Sequence, residues 1–208
     1  APTEVLPALA DISAYLYNDQ DTDPLIKTAL VHYQFEIIHP FEQYNGIVGR
    51  ITIPMILHDI TSGSFPLICL SEYLYHNKNE YFDLLRTTQY SGGYIRWIKF
   101  LVKAIGETAK QSAESLIQYE HTTAKDAELL INRGKISRST SIVSEYFKRF
   151  TITNIPYASK GTGLSFNSTA KAIDLLQEQG ILIQMTSKER NRIWEYMSLK
   201  NCIVLELQ

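Results

Sequence analysis

Apolar positions recur with helical spacing along the first two-thirds of the chain, and the last third changes character. Asp21-Thr22-Asp23-Pro24 opens the clearest series, with Asp23 suited to an N-cap and Pro24 to the first helical position. Ile26, Leu30, Tyr33 and Ile37 follow at i, i+4, i+7 and i+11, which predicts one buried helical face. The series stops at His39-Pro40, because proline disfavours helix at the residue before it. A loop from Phe41 to Asn45 and a helix from Gly46 to Asp59 are expected next. Pro54 should kink or locally break that helix, and Gly63 should cap it. Further helices are expected over Leu70–Asn77, Asn79–Tyr90 and Tyr94–Arg133. The last carries a stripe of Ile95, Ile98, Leu101, Val102 and Ile105 and ends at Gly134.

Beyond Gly134 the helices shorten. Ser139–Phe150 and Asn154–Lys160 lead to a Gly161-Thr162-Gly163 turn. Another helix runs from Ser165 or Asn167 to Gln179, with Ala172, Leu175 and Leu176 inward, and Gly180 stops it. Ile181-Leu182-Ile183 and Ile193-Trp194-Glu195-Tyr196 flank a polar turn, Thr186 to Asn191, and read as a β-hairpin. The fold class expected is mainly α: an all-helical core over residues 1–124, then a winged helix-turn-helix with a small β-hairpin over 125–208.

Composition adds exclusions. The chain has 208 residues, 45% hydrophobic and 20% charged, which is ordinary for a globular protein and argues against disorder or coiled coil. No apolar run approaches the ~20 residues of a membrane span, and no basic-then-apolar signal opens the chain. A cytoplasmic protein, bacterial in style and without membrane association, is expected. The first residue is Ala1, so Met was removed or the chain is part of a longer protein. Cys69 and Cys202 each lie in an apolar run, which predicts that both are buried and reduced. Charge is uneven. Residues 1–124 carry 8 Lys/Arg against 14 Asp/Glu, and residues 125–208 carry 12 against 8, consistent with two domains of different roles.

The segment His39-Pro40-Phe41-Glu42-Gln43-Tyr44-Asn45-Gly46-Ile47-Val48-Gly49-Arg50 carries the chemistry. It is a loop entering a helix N-terminus, where free N–H groups and the helix dipole favour an anion. Asn45 and Gly46 suit close backbone approach. Arg50, about one turn in, can aim a cation at the same place, and His39 can serve as a general base. Together they suggest phosphate chemistry.

The segment resembles the Fic family signature, His-Pro-Phe-x-(Asp/Glu)-Gly-Asn-(Gly/Lys)-Arg-x-x-Arg. The helix over Leu25–His39 and the pair over Leu70–Asn77 and Asn77–Leu85 are similar to those flanking it, so the resemblance covers roughly residues 5 to 205. It implies transfer of AMP from ATP to a Tyr, Thr or Ser hydroxyl of a target protein. By resemblance, His39 deprotonates the acceptor. Asn45, Gly46, Gly49 and Arg50 hold the phosphates, Asn77 and Tyr81 line the adenine pocket, and Mg²⁺ bridges the phosphates. Phe41 would anchor the loop in the core. The flap that docks the target and the inhibitory helix would lie upstream of Ala1.

Three positions depart from the signature. Gln43 stands where the family carries a metal-holding carboxylate; Gln43, or Glu42 beside it, is the remaining candidate ligand. Tyr44 replaces a Gly, so its ring could block approach or forbid the backbone conformation. Ile47 replaces the first Arg, removing a charge-assisted contact. The readings left open are a working AMP transferase, an enzyme using another phosphate-containing donor, and a catalytically silent scaffold acting through its winged helix. For that module Lys171 on the recognition helix and Lys188, Arg190 and Arg192 on the wing are the DNA-binding candidates, with dimerisation or partner docking as the competing role. His32 and His58 read as core or surface histidines, and no His/Cys/Asp spacing suggests zinc.

Overall fold

A computed structural model describes residues 2–60, 68–132, 134, 137–187, 191–200 and 202. Six helices come first: α1 (Pro2–Asn18), α2 (Pro24–Ile38), α3 (Asn45–Ile60), α4 (Leu70–His76), α5 (Lys78–Ser91) and α6 (Tyr94–Asn132). The chain divides into two compact units inside α6, residues 1–112 and 113–208.

In the first unit Asp23 caps α2 as its sequence position indicates, its carboxylate accepting from the N–H groups of Leu25 and Ile26. The buried face of α2 differs from the expected one. Thr28, Ala29, Val31, His32, Tyr33 and Phe35 are buried, whereas Ile26 is 37% exposed. A helix packed by α1 and α3 on different sides buries more than one stripe, so the i, i+4, i+7 series misplaces its centre. Trp97 of α6, wholly buried, donates its indole N–H to the Ala29 carbonyl at 2.8 Å and ties α6 to α2. Trp97, Phe100, Leu101, Ala104 and Ile105 form the inward face of α6. Ile95, expected in that stripe, is 70% exposed, because the stripe is centred on the indole rather than on the isoleucines. α3 runs through Pro54 without a break, the Arg50 carbonyl lacking the N–H that another residue would supply. Gly63 lies outside the described residues. Cys69 is exposed, not buried: it occupies the N-cap position of α4, at the end of its apolar run rather than within a packed element.

The second unit takes the C-terminal part of α6, then α7 (Arg138–Arg149), β1 (Ile152–Thr153), α8 (Ile155–Thr162), α9 (Phe166–Glu178), β2 (Leu182–Gln184), β3 (Trp194–Tyr196) and α10 (Met197–Lys200). Ser137, Asn154 and Ser165 cap α7, α8 and α9 through their side-chain oxygens. β2 and β3 pair antiparallel, Leu182 opposite Tyr196, and form the expected hairpin. β1 adds a third strand on the other side of β3, Thr153 opposite Trp194. A two-residue strand is too short for alternation to reveal it. Val143, Phe147, Ile173, Leu176, Trp194 and Tyr196 fill the core, and Cys202 is buried. No described helix is long and apolar enough to cross a membrane.

Candidate functional site

The loop between α2 and α3 is held in an uncommon backbone shape. α2 ends at His39, which adopts the left-handed conformation (φ 52°, ψ 58°) while its N–H reaches the Phe35 carbonyl at 3.1 Å. Glycine usually takes this cap position, since a side chain there costs about 1–2 kcal/mol. Tyr44, directly before α3, is left-handed as well (φ 67°), and its carbonyl accepts from the N–H groups of Ile47 and Val48 at 3.0 Å. The backbone conformation is therefore kept at the position where the signature has glycine, and the ring lies 70% exposed.

Asn45 closes the loop. Its Oδ1 accepts from the Phe41 N–H at 2.8 Å and its Nδ2 donates to the Phe41 carbonyl at 2.6 Å, with the side chain 2% exposed. Both amide functions are engaged within the protein. Phe41, expected as the anchor in the core, is 49% exposed, its ring 6.4 Å from that of Phe35. The anchoring falls to Asn45 because a carboxamide satisfies two loop backbone groups that a ring cannot.

Arg50 lies back along the first turn of α3. Its Nη1 is 3.2 Å from where a Cβ on Gly46 would stand, and its Nε donates to Ser71 Oγ at 3.2 Å. A guanidinium beside the positive end of a helix dipole is unfavourable alone and complementary to an anion. Gly49 has a packing role: a Cβ there would collide with Glu36 Oε1 and stand 3.2 Å from Phe35 Cδ1.

Glu36 is a site residue that spacing alone did not single out. Its Oε1 is buried without a hydrogen-bond partner, against Gly49. Burial raises its pKa, and the charges of Arg50 and His39 pull the other way. The sequence held a signal, since Glu36 is the one carboxylate of α2 and lies three residues before His39.

Beneath the loop runs a buried relay. The Gly49 carbonyl can only accept, so His32 Nδ1 donates to it at 3.0 Å, and Nε2 accepts from the Tyr81 hydroxyl at 3.2 Å. Thr52 Oγ1 donates to the same carbonyl at 2.7 Å. Burial foremost holds the His32 pKa at about 4, so the ring is neutral, and burial raises that of Tyr81. Tyr81 is a core residue, 6% exposed. Asn77 joins α4 to α5 and donates from Nδ2 to the Tyr73 carbonyl at 2.8 Å.

Glu42 and Gln43 are exposed on the loop. Among the described residues no three His, Cys, Asp or Glu side chains converge as a metal cage. In the second unit Lys171 is exposed on α9, but so are Asp174 and Glu178 on the same helix. Arg192 lies 4.9 Å over the Trp194 ring. Lys188 and Arg190 lie outside the described residues.

Comparison with known proteins agrees with the loop. Residues 1–57 match the model of the Fic/DOC family. The protein adenylyltransferase fic-1 of Caenorhabditis elegans is 28% identical over 150 residues, covering 70% of this chain and 27% of that protein. A probable protein adenylyltransferase of Aquifex aeolicus (strain VF5) is 34% identical over 89 residues, covering 42% of this chain and 25% of that one. The chain thus spans about a quarter of the length of these curated relatives. A Fic family protein from Desulfovibrio desulfuricans G20 aligns over 94% of this chain and 55% of its own, at 15% identity and a TM-score of 0.49. The family match ends within α3 and so takes in the whole of the His39–Arg50 loop; over residues 1–57 the chain is similar to the Fic/DOC family.

Proposed function

We propose that this chain transfers AMP from ATP to the hydroxyl of a Tyr, Thr or Ser on a target protein. The observation that carries the reading is the juxtaposition of a fixed His39 with a cationic helix N-terminus. His39 is held at the α2 cap, and across a loop locked by Asn45 the first turn of α3 lies under Arg50. His39 takes the proton of the acceptor hydroxyl, the oxygen bonds to the α-phosphorus, and the α–β phosphoanhydride breaks to release pyrophosphate. The N–H groups around Gly46 and the Arg50 guanidinium receive the phosphate charge. Gly49 acts from behind, allowing α3 to approach Glu36. Charge on the phosphates is met by fewer groups than in the family signature, since Ile47 is 49% exposed and apolar.

The test is transfer of label from α-³²P-ATP, beside γ-³²P-ATP, into protein with Mg²⁺. Label from the α-phosphate alone, reduced about 10²-fold or more in His39→Ala, is the expected result. No label from either nucleotide, with cell lysate supplying targets, counts against transfer.

One observation favours a second reading for the second unit. The α7–α8–α9 helices and three-stranded sheet have the element order of a winged helix-turn-helix. The mixed charge of α9, Lys171 with Asp174 and Glu178, suits self-association or docking to a protein better than a phosphate backbone. A salt-dependent shift of duplex DNA by the chain, weakened by Lys171→Ala, would instead favour DNA.

A further inference from the structure

Glu36 carries an acidic group that the transfer chemistry does not use. It lies where α2 packs on α3, and only the missing side chain of Gly49 leaves room for it. Its Oε1 is out of water and has no hydrogen-bond partner. Arg50, the residue after Gly49, is the first of the charges that act on Glu36, and His39 at the end of α2 is the second. Arg50 is not bonded to Oε1; its Nε donates to Ser71 and its Nη1 lies back along the first turn of α3. The other titratable side chains of the site are His32 of α2 and Tyr81 of α5, both neutral at pH 7 because burial disfavours their charged forms. Burial favours the neutral acid at Glu36, while Arg50 and His39 favour the carboxylate. A change in the charge beside Arg50 therefore shifts the protonation of Glu36.

We infer that Glu36 is a positioning residue acting through Arg50: it offsets the guanidinium charge before a nucleotide binds, and takes up a proton from solvent when phosphates become the partners of Arg50. The inference rests on the transfer reading and adds to it how the grip on the nucleotide is regulated. Phosphate charge would arrive at the first turn of α3, which ends at Gly49, against Glu36. An ionised carboxylate on the other side of that glycine opposes the phosphates, and its Oε1 has no hydrogen bond to spread the charge. Protonation removes the repulsion. No covalent bond between heavy atoms changes; one proton passes from the buffer to the carboxylate. Burial raises the Glu36 pKa above its ordinary 4.5, and a binding step that takes up a proton weakens as pH rises.

Isothermal titration of the whole chain with ATP and Mg²⁺, over about pH 5 to 8, provides the test. Wild type should take up protons on binding, read as a difference in heat between PIPES and Tris buffers, and Glu36→Gln should take up fewer. Glu36→Gln, equal in size and without the charge, should bind ATP about tenfold more tightly than wild type near pH 8, with affinities converging towards about pH 5. Glu36→Asp keeps a carboxylate and should restore part of the pH dependence, whereas a residue that merely packs would alter affinity equally at every pH. Equal proton uptake in wild type and Glu36→Gln, a ratio of Kd values constant with pH, or no binding of ATP would overturn the inference. If circular dichroism shows Glu36→Gln unfolded, the wild type decides: infrared difference spectra should gain a carboxylic acid C=O band on addition of ATP, and its absence overturns the inference. The two readings fail differently. Proton-linked binding without labelling from α-³²P-ATP counts against transfer, whereas labelling with a pH-independent ratio of Kd values counts against Glu36.

Discussion

In the second unit the left-handed backbone positions that end α8 and follow α9 fall on Gly163 (φ 71°) and Gly180 (φ 75°). In the first unit, Gly92 ends α5 in the same way, yet His39 and Tyr44 are left-handed too, one on each side of the candidate loop. In the second unit α7, α8 and α9 also begin on Ser137, Asn154 and Ser165, residues suited to the position, while α3 begins after a left-handed tyrosine. Local chemistry and tertiary structure agree in one unit and disagree at one place in the other. Strain of that kind persists only where surroundings over-determine it. Here the surroundings are Asn45 gripping Phe41, and His32, Tyr81 and Thr52 arranged around the Gly49 carbonyl.

The comparison can be broken most forcefully through His32. Its pKa is about 4 in the folded chain against an ordinary 6.5, so below 6.5 the unfolded chain takes up a proton that the folded chain refuses. Stability from this group is full above pH 6.5 and falls as pH drops towards 4, by about 3 kcal/mol in all. Urea unfolding followed across that range should show the loss, and His32→Asn should flatten it. A wild-type curve level between pH 7 and 4 would mean that the ring is not the buried neutral partner of Gly49.

Next in size is Asn45→Ala, which leaves the N–H and carbonyl of Phe41 without their partner and should cost about 2 kcal/mol in urea unfolding. A loss below about 0.5 kcal/mol would show that the loop holds its shape without this clamp.

Gly163→Ala measures the cost of the left-handed backbone alone, because a Cβ there has nothing within 4 Å. It should destabilise by about 1–2 kcal/mol. Tyr44→Gly is the converse and the smallest effect. Relief of the left-handed penalty, offset by the chain entropy of glycine, should raise stability by less than about 1 kcal/mol. If Tyr44→Gly instead destabilises, the exposed ring makes a contact that outweighs the strain, and the contrast between the units disappears.

Where sequence succeeded and where it failed follows one distinction. Caps and breaks act within a few residues, so Asp23, Pro24, Pro40 and Gly180 were legible, as were the β2–β3 hairpin and the order of helices α2 to α9, whereas α1 and α10 were not. The stretch from His39 to Arg50 was legible because its residue types are chemically unusual together. β1 was not, since two residues carry no period, and Cys69 was misplaced because an apolar run does not say where its packing ends.

What the sequence by itself determined is a helical chain with a histidine at a helix end, an anion-suited helix start after it and a short antiparallel hairpin near its C-terminus. Only tertiary structure decided that Asn45 clamps the loop while Phe41 stands half in solvent, and that Tyr44 takes a backbone shape suited to glycine. It also placed Glu36 against Gly49 with a buried, unpartnered oxygen. The physical reason is range: capping and periodicity are settled by neighbours along the chain, whereas burial, strain and the field around a carboxylate depend on which helices pack against each other.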